Sequence, residues 1–195
     1  MVLGHYASAY IALPHNEKSP FWLLLLCANL AEFLWLFLAI AGVEPVHPPS
    51  ILDATFQNLD VHMTYSHNLG PNLILGVVVF ITILLVYKSR KLALWCAFLT
   101  CLHVWCDYIV GFEHQVWGPG SMSVGLNSYG KFAEGAILIE LVFAWLCLVY
   151  YALVKKRQGL PVSRRRLAVL FILFSIGIAS WLPTARTPLR ALLGL

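Results

Sequence analysis

At 195 residues, 60% hydrophobic and only 11% charged, with a mean hydropathy of +0.78, the chain is far too apolar for a soluble domain, which carries roughly a quarter charged residues. Its formal charge of +4 lies in short basic clusters with no interleaved aromatics, which excludes a nucleic-acid surface. The cysteines, Cys27, Cys96, Cys101, Cys106 and Cys147, form no Cys-x-x-Cys pair and all fall in apolar segments, which excludes a disulfide framework and a zinc ribbon.

In chain order, the first dozen residues are apolar but too short to span, and predict a half-helix covered by the rest of the protein. With a turn between Pro14 and Pro20, His5 lies about 12 Å from the cytoplasmic surface at ~1.5 Å per residue. Apolar runs at 21–42, 71–87, 92–112 and 132–154 reach or approach the roughly 20 residues that cross a bilayer, and 167–183 predicts a shorter fifth span. The expected fold is all-α: a polytopic transmembrane helical bundle of about five spans plus a short N-terminal half-helix, in a single membrane domain over 1–195. No basic n-region and A-x-A-like cleavage site precede the first span, which is expected to stay as the insertion signal.

Lys88, Arg90 and Lys91 form one basic cluster, and Lys155, Lys156, Arg157 and Arg164 to Arg166 a second. By the positive-inside rule both face the cytoplasm, which puts the N-terminal side of the first span inside and the C-terminus outside. The Pro-rich segment 43–70 and the Gly- and Ser-rich segment 113–131 then become outer loops, with Pro71 in the first turn of the next helix.

Within the third span His103 and Asp107 stand four residues apart, on one helical face, where an ionisable group costs a few kcal/mol. Counted from the cytoplasmic ends, Glu32 lies about 17 Å in, His103 about 18 Å, and Asp107 and Glu140 roughly 22 to 24 Å. His67 enters from the outer side, and His114 falls near the His103 face if that helix continues. Hydrocarbon leaves such groups no water unless they share a cavity, and imidazole with carboxylate is a ligand set for Zn²⁺ or Mn²⁺.

The ordered motifs Gly4-His5-Tyr6, Leu30-Ala31-Glu32-Phe33-Leu34-Trp35, Tyr65-Ser66-His67, His103-Val104-Trp105-Cys106-Asp107 and Gly125-Leu126-Asn127-Ser128 carry a resemblance over residues 3–150. They resemble a family of bacterial inner-membrane proteins described as metal-dependent hydrolases, itself similar to the zinc phospholipase C and zinc nuclease superfamily. The resemblance implies His5, Glu32, His67, His103, Asp107 and His114 as metal ligands, with Glu140 as a further candidate. It also implies a divalent metal, zinc by preference, and residence in the bacterial inner membrane. This chain departs from the pattern in carrying Glu32 for Asp and Asn68 for Ser.

The expected activity is therefore that of a membrane-embedded hydrolase whose zinc-activated water attacks a phosphoester or ester near the outer face. Glu32 and Asp107 are the catalytic carboxylates, each a ligand or the general base. Tyr65, Ser66, Asn127, Ser128 and Glu140 are the candidate substrate contacts, and a site at that depth suits a membrane lipid or lipid-linked substrate. The rival is a proton or metal-ion transporter built on the same groups.

Overall fold

The computed structural model describes residues 3–195 and is mostly helical. The helices are α1 (Gly4–Ala12), α2 (Phe21–Ala28), α3 (Leu30–Ile40), α4 (Leu69–Tyr87), α5 (Arg90–Val110), α6 (Ser128–Arg157), α7 (Arg164–Ala179) and α8 (Leu189–Leu193). Strands β1 (Val46–His47) and β2 (Asp60–Val61) pair antiparallel in the loop before α4, and β3 (His114–Gln115) and β4 (Ser123–Val124) do so in the loop after α5.

Three helices, α4, α5 and α6, are long and apolar enough to cross a membrane, and α2 with α3 makes a fourth if the bent pair is one span. They expose apolar side chains such as Val77, Ile81 and Leu85 on α4 and Leu138, Val142 and Leu146 on α6, while their inner faces pack together. Exposed apolar surface on that scale suits hydrocarbon rather than water. The expected fifth span is the 16-residue α7, about 24 Å long and short of a hydrocarbon core of about 30 Å. The expected half-helix is α1, whose Gly4, Ala7, Ala9 and Ala12 are small enough to bury against its neighbours α6, α2 and α5.

The expected unbroken first span is instead two helices bent by 58° at Asn29. The break satisfies its own backbone. The Asn29 side-chain amide donates to the Leu25 carbonyl (3.0 Å), Thr100 Oγ1 donates to the Cys27 carbonyl (3.1 Å), and His103 Nδ1 donates to the Ala28 carbonyl (2.8 Å). Non-helical backbone at membrane depth persists where protein groups supply such partners.

One end of the bundle gathers the 13–20 turn and the end of α6, where Lys155 pairs with Glu17 and Gln158 donates to the Pro14 carbonyl. The other end gathers both strand-bearing loops and the C-terminal segment. There Gly70 lets Trp117 lie across the start of α4, since a Cβ at that position would come within 2.2 Å of the indole ring. Arg190 clamps α8 onto the first loop: its N–H donates to the Leu52 carbonyl (2.8 Å) and its guanidinium to Asp53 (2.6 Å). Arg186 pairs with Glu134 at the same end.

Candidate metal centre

Four elements bring imidazole and carboxylate to one point beneath that end. Glu32 comes from the first turn of α3, His67 from the residues leading into α4, His103 and Asp107 from successive turns of α5, and His5 from α1. His67 Nε2 and His103 Nε2 are 3.3 Å apart. Glu32 Oε2 lies 3.6 Å from His67 Nε2 and 3.7 Å from His103 Nε2. Asp107 Oδ2 lies 3.6 Å and 3.5 Å from the same two nitrogens. The other oxygen, Oδ1, is 3.2 Å from His5 Nε2, and the His5 ring stacks on His103 with centroids 3.5 Å apart. The triads His5, His103, Asp107 and Glu32, His67, His103 each place their ligand atoms within 4.8 Å of one another and could hold a metal ion.

Hydrogen bonds behind the cluster decide which way its imidazoles face. His103 Nδ1–H donates to the Ala28 carbonyl at the α2/α3 break, which turns Nε2 inward. Ser66 Oγ donates to Glu44 Oε2 (2.7 Å) and so accepts from His67 Nδ1–H (2.9 Å). In their neutral forms both histidines therefore point an Nε2 lone pair at each other and at two carboxylate oxygens. The two imidazole lone pairs and the carboxylate oxygens form a donor set that suits a cation, and an outer hydrogen bond fixing the ring is the usual companion of a metal-ligating histidine. Imidazole nitrogen with carboxylate oxygen is a donor set that suits a divalent metal ion in either triad.

His114 takes a different place from the one helical periodicity projects. The α5 helix ends at Val110, and the β3–β4 hairpin swings His114 back so that its ring stacks on His67 with centroids 5.5 Å apart. It belongs to neither triad. Burial lowers its pKa to about 3, and the neighbouring His67 pushes in the same direction.

The five expected substrate contacts lie elsewhere, for identifiable reasons. Glu140 Oε1 accepts the Leu3 and Gly4 N–H groups that begin α1 (2.8 and 2.7 Å), and Oε2 accepts the Tyr129 hydroxyl (3.0 Å). A carboxylate there satisfies orphan donors and the helix dipole, and Glu140 is an anchor for α1. Tyr65 points its side chain outward, and Ser66 is wholly buried behind His67. Ser128, the first residue of α6, donates its Oγ–H to the Ile109 carbonyl (2.6 Å), and Asn127 immediately precedes the helix. Sequence reasoning passed over Glu44, a buried carboxylate that also accepts the N–H groups of Tyr65 (2.5 Å) and Ser66 (3.1 Å). Its place in a proline-flanked polar loop reads as solvent-facing, and only the fold turns it inward.

Glu32, His67, Asp107 and His114 form one wall of a cavity of about 580 Å³ that is otherwise mainly apolar, lined by Trp35, Leu36, Phe56, Phe112, Tyr129 and Trp181 among others. A second pocket of about 420 Å³ shares Met63 and His114 with it and is lined largely by polar residues, including Thr64, Asn68, Glu113, Gln115 and Ser123. Comparison with family models, with curated proteins and with solved structures finds no match.

Proposed function

We propose that this chain is a membrane-embedded, metal-dependent hydrolase of the kind its motifs resemble, acting on an ester or phosphoester. The observation that carries the reading is the convergence of four lone-pair donors, from Glu32, His67, His103 and Asp107, with both histidines oriented from behind. When bound there, a divalent ion supplies a water molecule acidified toward neutral pH.

The residues divide the remaining work. His67 and His103 present Nε2, and Asp107, with its side chain only 6% exposed and its second oxygen against His5, is the fixed carboxylate. Glu32 is 28% exposed and lines the cavity, so it is the carboxylate placed to take a proton from the attacking water and return it to the leaving oxygen. Imidazole and carboxylate donors favour zinc.

In this reading the chain sits in a bacterial inner membrane with the 13–20 turn inside and the metal end outside. Arg186 and Arg190 are outnumbered by the basic clusters around Lys88–Lys91 and 155–166, so the Lys/Arg bias still favours an outer C-terminus. The test is elemental analysis of gently extracted protein together with ester and phosphoester turnover. The expected result is bound divalent metal and activity, both lost in His103→Ala and Asp107→Ala; metal-free protein indifferent to both substitutions overturns the reading.

The broken α2/α3 span favours a second reading, since discontinuous helices line the ion sites of many transporters. Metal or proton uptake into proteoliposomes, abolished by Glu32→Gln and unaffected by ester substrates, selects it over the hydrolase.

A further inference from the structure

We propose that the site takes a neutral, single-chain amphiphile, its acyl chain in the 580 Å³ cavity and a carboxylic ester at the metal centre. The inference rests on the hydrolase reading and narrows it to one class of ester.

Three observations carry it. First, the cavity's polar groups are concentrated on the wall formed by Glu32, His67, Asp107 and His114, while Trp35, Leu36, Phe56, Leu59 and Trp181 are among the side chains that make the rest apolar. A water-soluble substrate gains little from such a lining, whereas an alkyl chain gains with every methylene it buries. The volume is that of a single small-molecule site, roughly 300–1,000 Å³, and suits one chain.

Second, the polar pocket adjoins the cavity across Met63 and His114 and offers Thr64, Gln115, Glu113 and Ser123 to a hydroxylated head. Among the described residues neither lining contains a lysine or an arginine. A phosphate head in the polar pocket would meet the Glu113 carboxylate with neither lysine nor arginine in the described lining to offset it, and an uncharged head meets no such penalty.

Third, Trp35 stands one helical turn from Glu32, lines the cavity, and keeps its Nε1–H buried with no hydrogen-bond partner among the described residues. A buried donor without an acceptor is costly, and an ester carbonyl beside Glu32 supplies the missing acceptor. Hydrolysis joins the water oxygen to the acyl carbon and breaks the acyl C–O bond. The proton held by Glu32 passes to the departing oxygen, giving a fatty acid and the alcohol of the head.

The test is photolabelling of the full-length protein in lipid nanodiscs with a hexadecyl glycerol ether carrying a mid-chain diazirine, which cannot be hydrolysed. Adducts are expected on Phe56, Trp181 and Leu189, and to fall about tenfold in both Ala54→Trp and Thr184→Trp at unchanged metal content. Unlabelled monopalmitoyl glycerol competes and lysophosphatidate does not. Adducts confined to the outward Phe37, Val77 and Leu138, equal in wild type and both variants, overturn the proposal, as does equal competition by lysophosphatidate. Cavity adducts without turnover of monopalmitoyl glycerol by metal-loaded protein support the amphiphile site and overturn the hydrolase reading instead.

Discussion

Glu140, halfway along α6, receives the first amide hydrogens of α1, at 2.8 Å from Leu3 and 2.7 Å from Gly4, and so holds His5 one residue further on. The anchor and the candidate metal centre are thereby joined through a single turn of helix. Glu140→Ala removes charge-assisted hydrogen bonds worth about 1.5–3 kcal/mol each and leaves α1 free to shift. Metal affinity is expected to fall about 10-fold or more, although Glu140 is not a ligand, and chelator competition on purified protein measures it. Unchanged affinity would show that His5 needs no such support.

Ser66 and Glu44 fix the direction of His67 without touching the centre. Ser66→Ala frees the imidazole to take its other tautomer, and losses of about 10–100-fold in metal affinity are typical for such outer partners. Glu44→Gln keeps the size but loses the full negative charge, and is expected to fall between wild type and Ser66→Ala. Metal titrations of the variants in parallel give the order. A Glu44→Gln loss larger than that of Ser66→Ala would point to a further role for the carboxylate.

Metal should stabilise the fold in proportion to its saturation. At about 100 times the dissociation constant the gain is about 2.7 kcal/mol, read as a raised unfolding midpoint that chelator reverses. Asp107→Ala is expected to abolish the metal-dependent part of the midpoint, since Asp107 contacts His5, His67 and His103 together. A metal response that survives in Asp107→Ala would place the ion elsewhere.

The Arg190–Asp53 clamp supplies a pH dependence outside the membrane-spanning helices. The hydrogen bond from the Arg190 guanidinium holds the Asp53 carboxyl below its usual range. The native state therefore binds a proton less readily than the unfolded chain. The clamp's contribution is complete above about pH 4, the unfolded carboxyl value, and is lost as pH falls through the depressed native value. Hydrogen exchange across 50–59 is expected to quicken over that acidic window and in Arg190→Ala at neutral pH, with the variant showing no further acid step there. Both charges are exposed, so added salt weakens the effect.

The long helices and the heart of the site are legible in the sequence because both follow from one-dimensional rules. Apolar length marks α4, α5 and α6, and the spacing of His103 and Asp107 sets them on one face of α5. The α2/α3 break is hidden because Asn29, with neither proline nor glycine beside it, bends the chain only with Thr100 and His103 in place to take the freed carbonyls. Depth along a helix misleads for Glu140, which lies at a height similar to Asp107 but faces the start of α1. His114 escapes helical periodicity because α5 stops at Val110, and Glu44 and Ser66 acquire their roles only when a polar loop folds beneath the bundle end.

The hold of Glu140 on α1 also sets an order of assembly. The ribosome delivers His5 first and Glu140 far later, so the amino-terminal half-helix has no seat until most of the chain has emerged. A segment made before its anchor is thus among the last to dock, and the His5 side of the cluster closes only around a bundle whose other walls already stand.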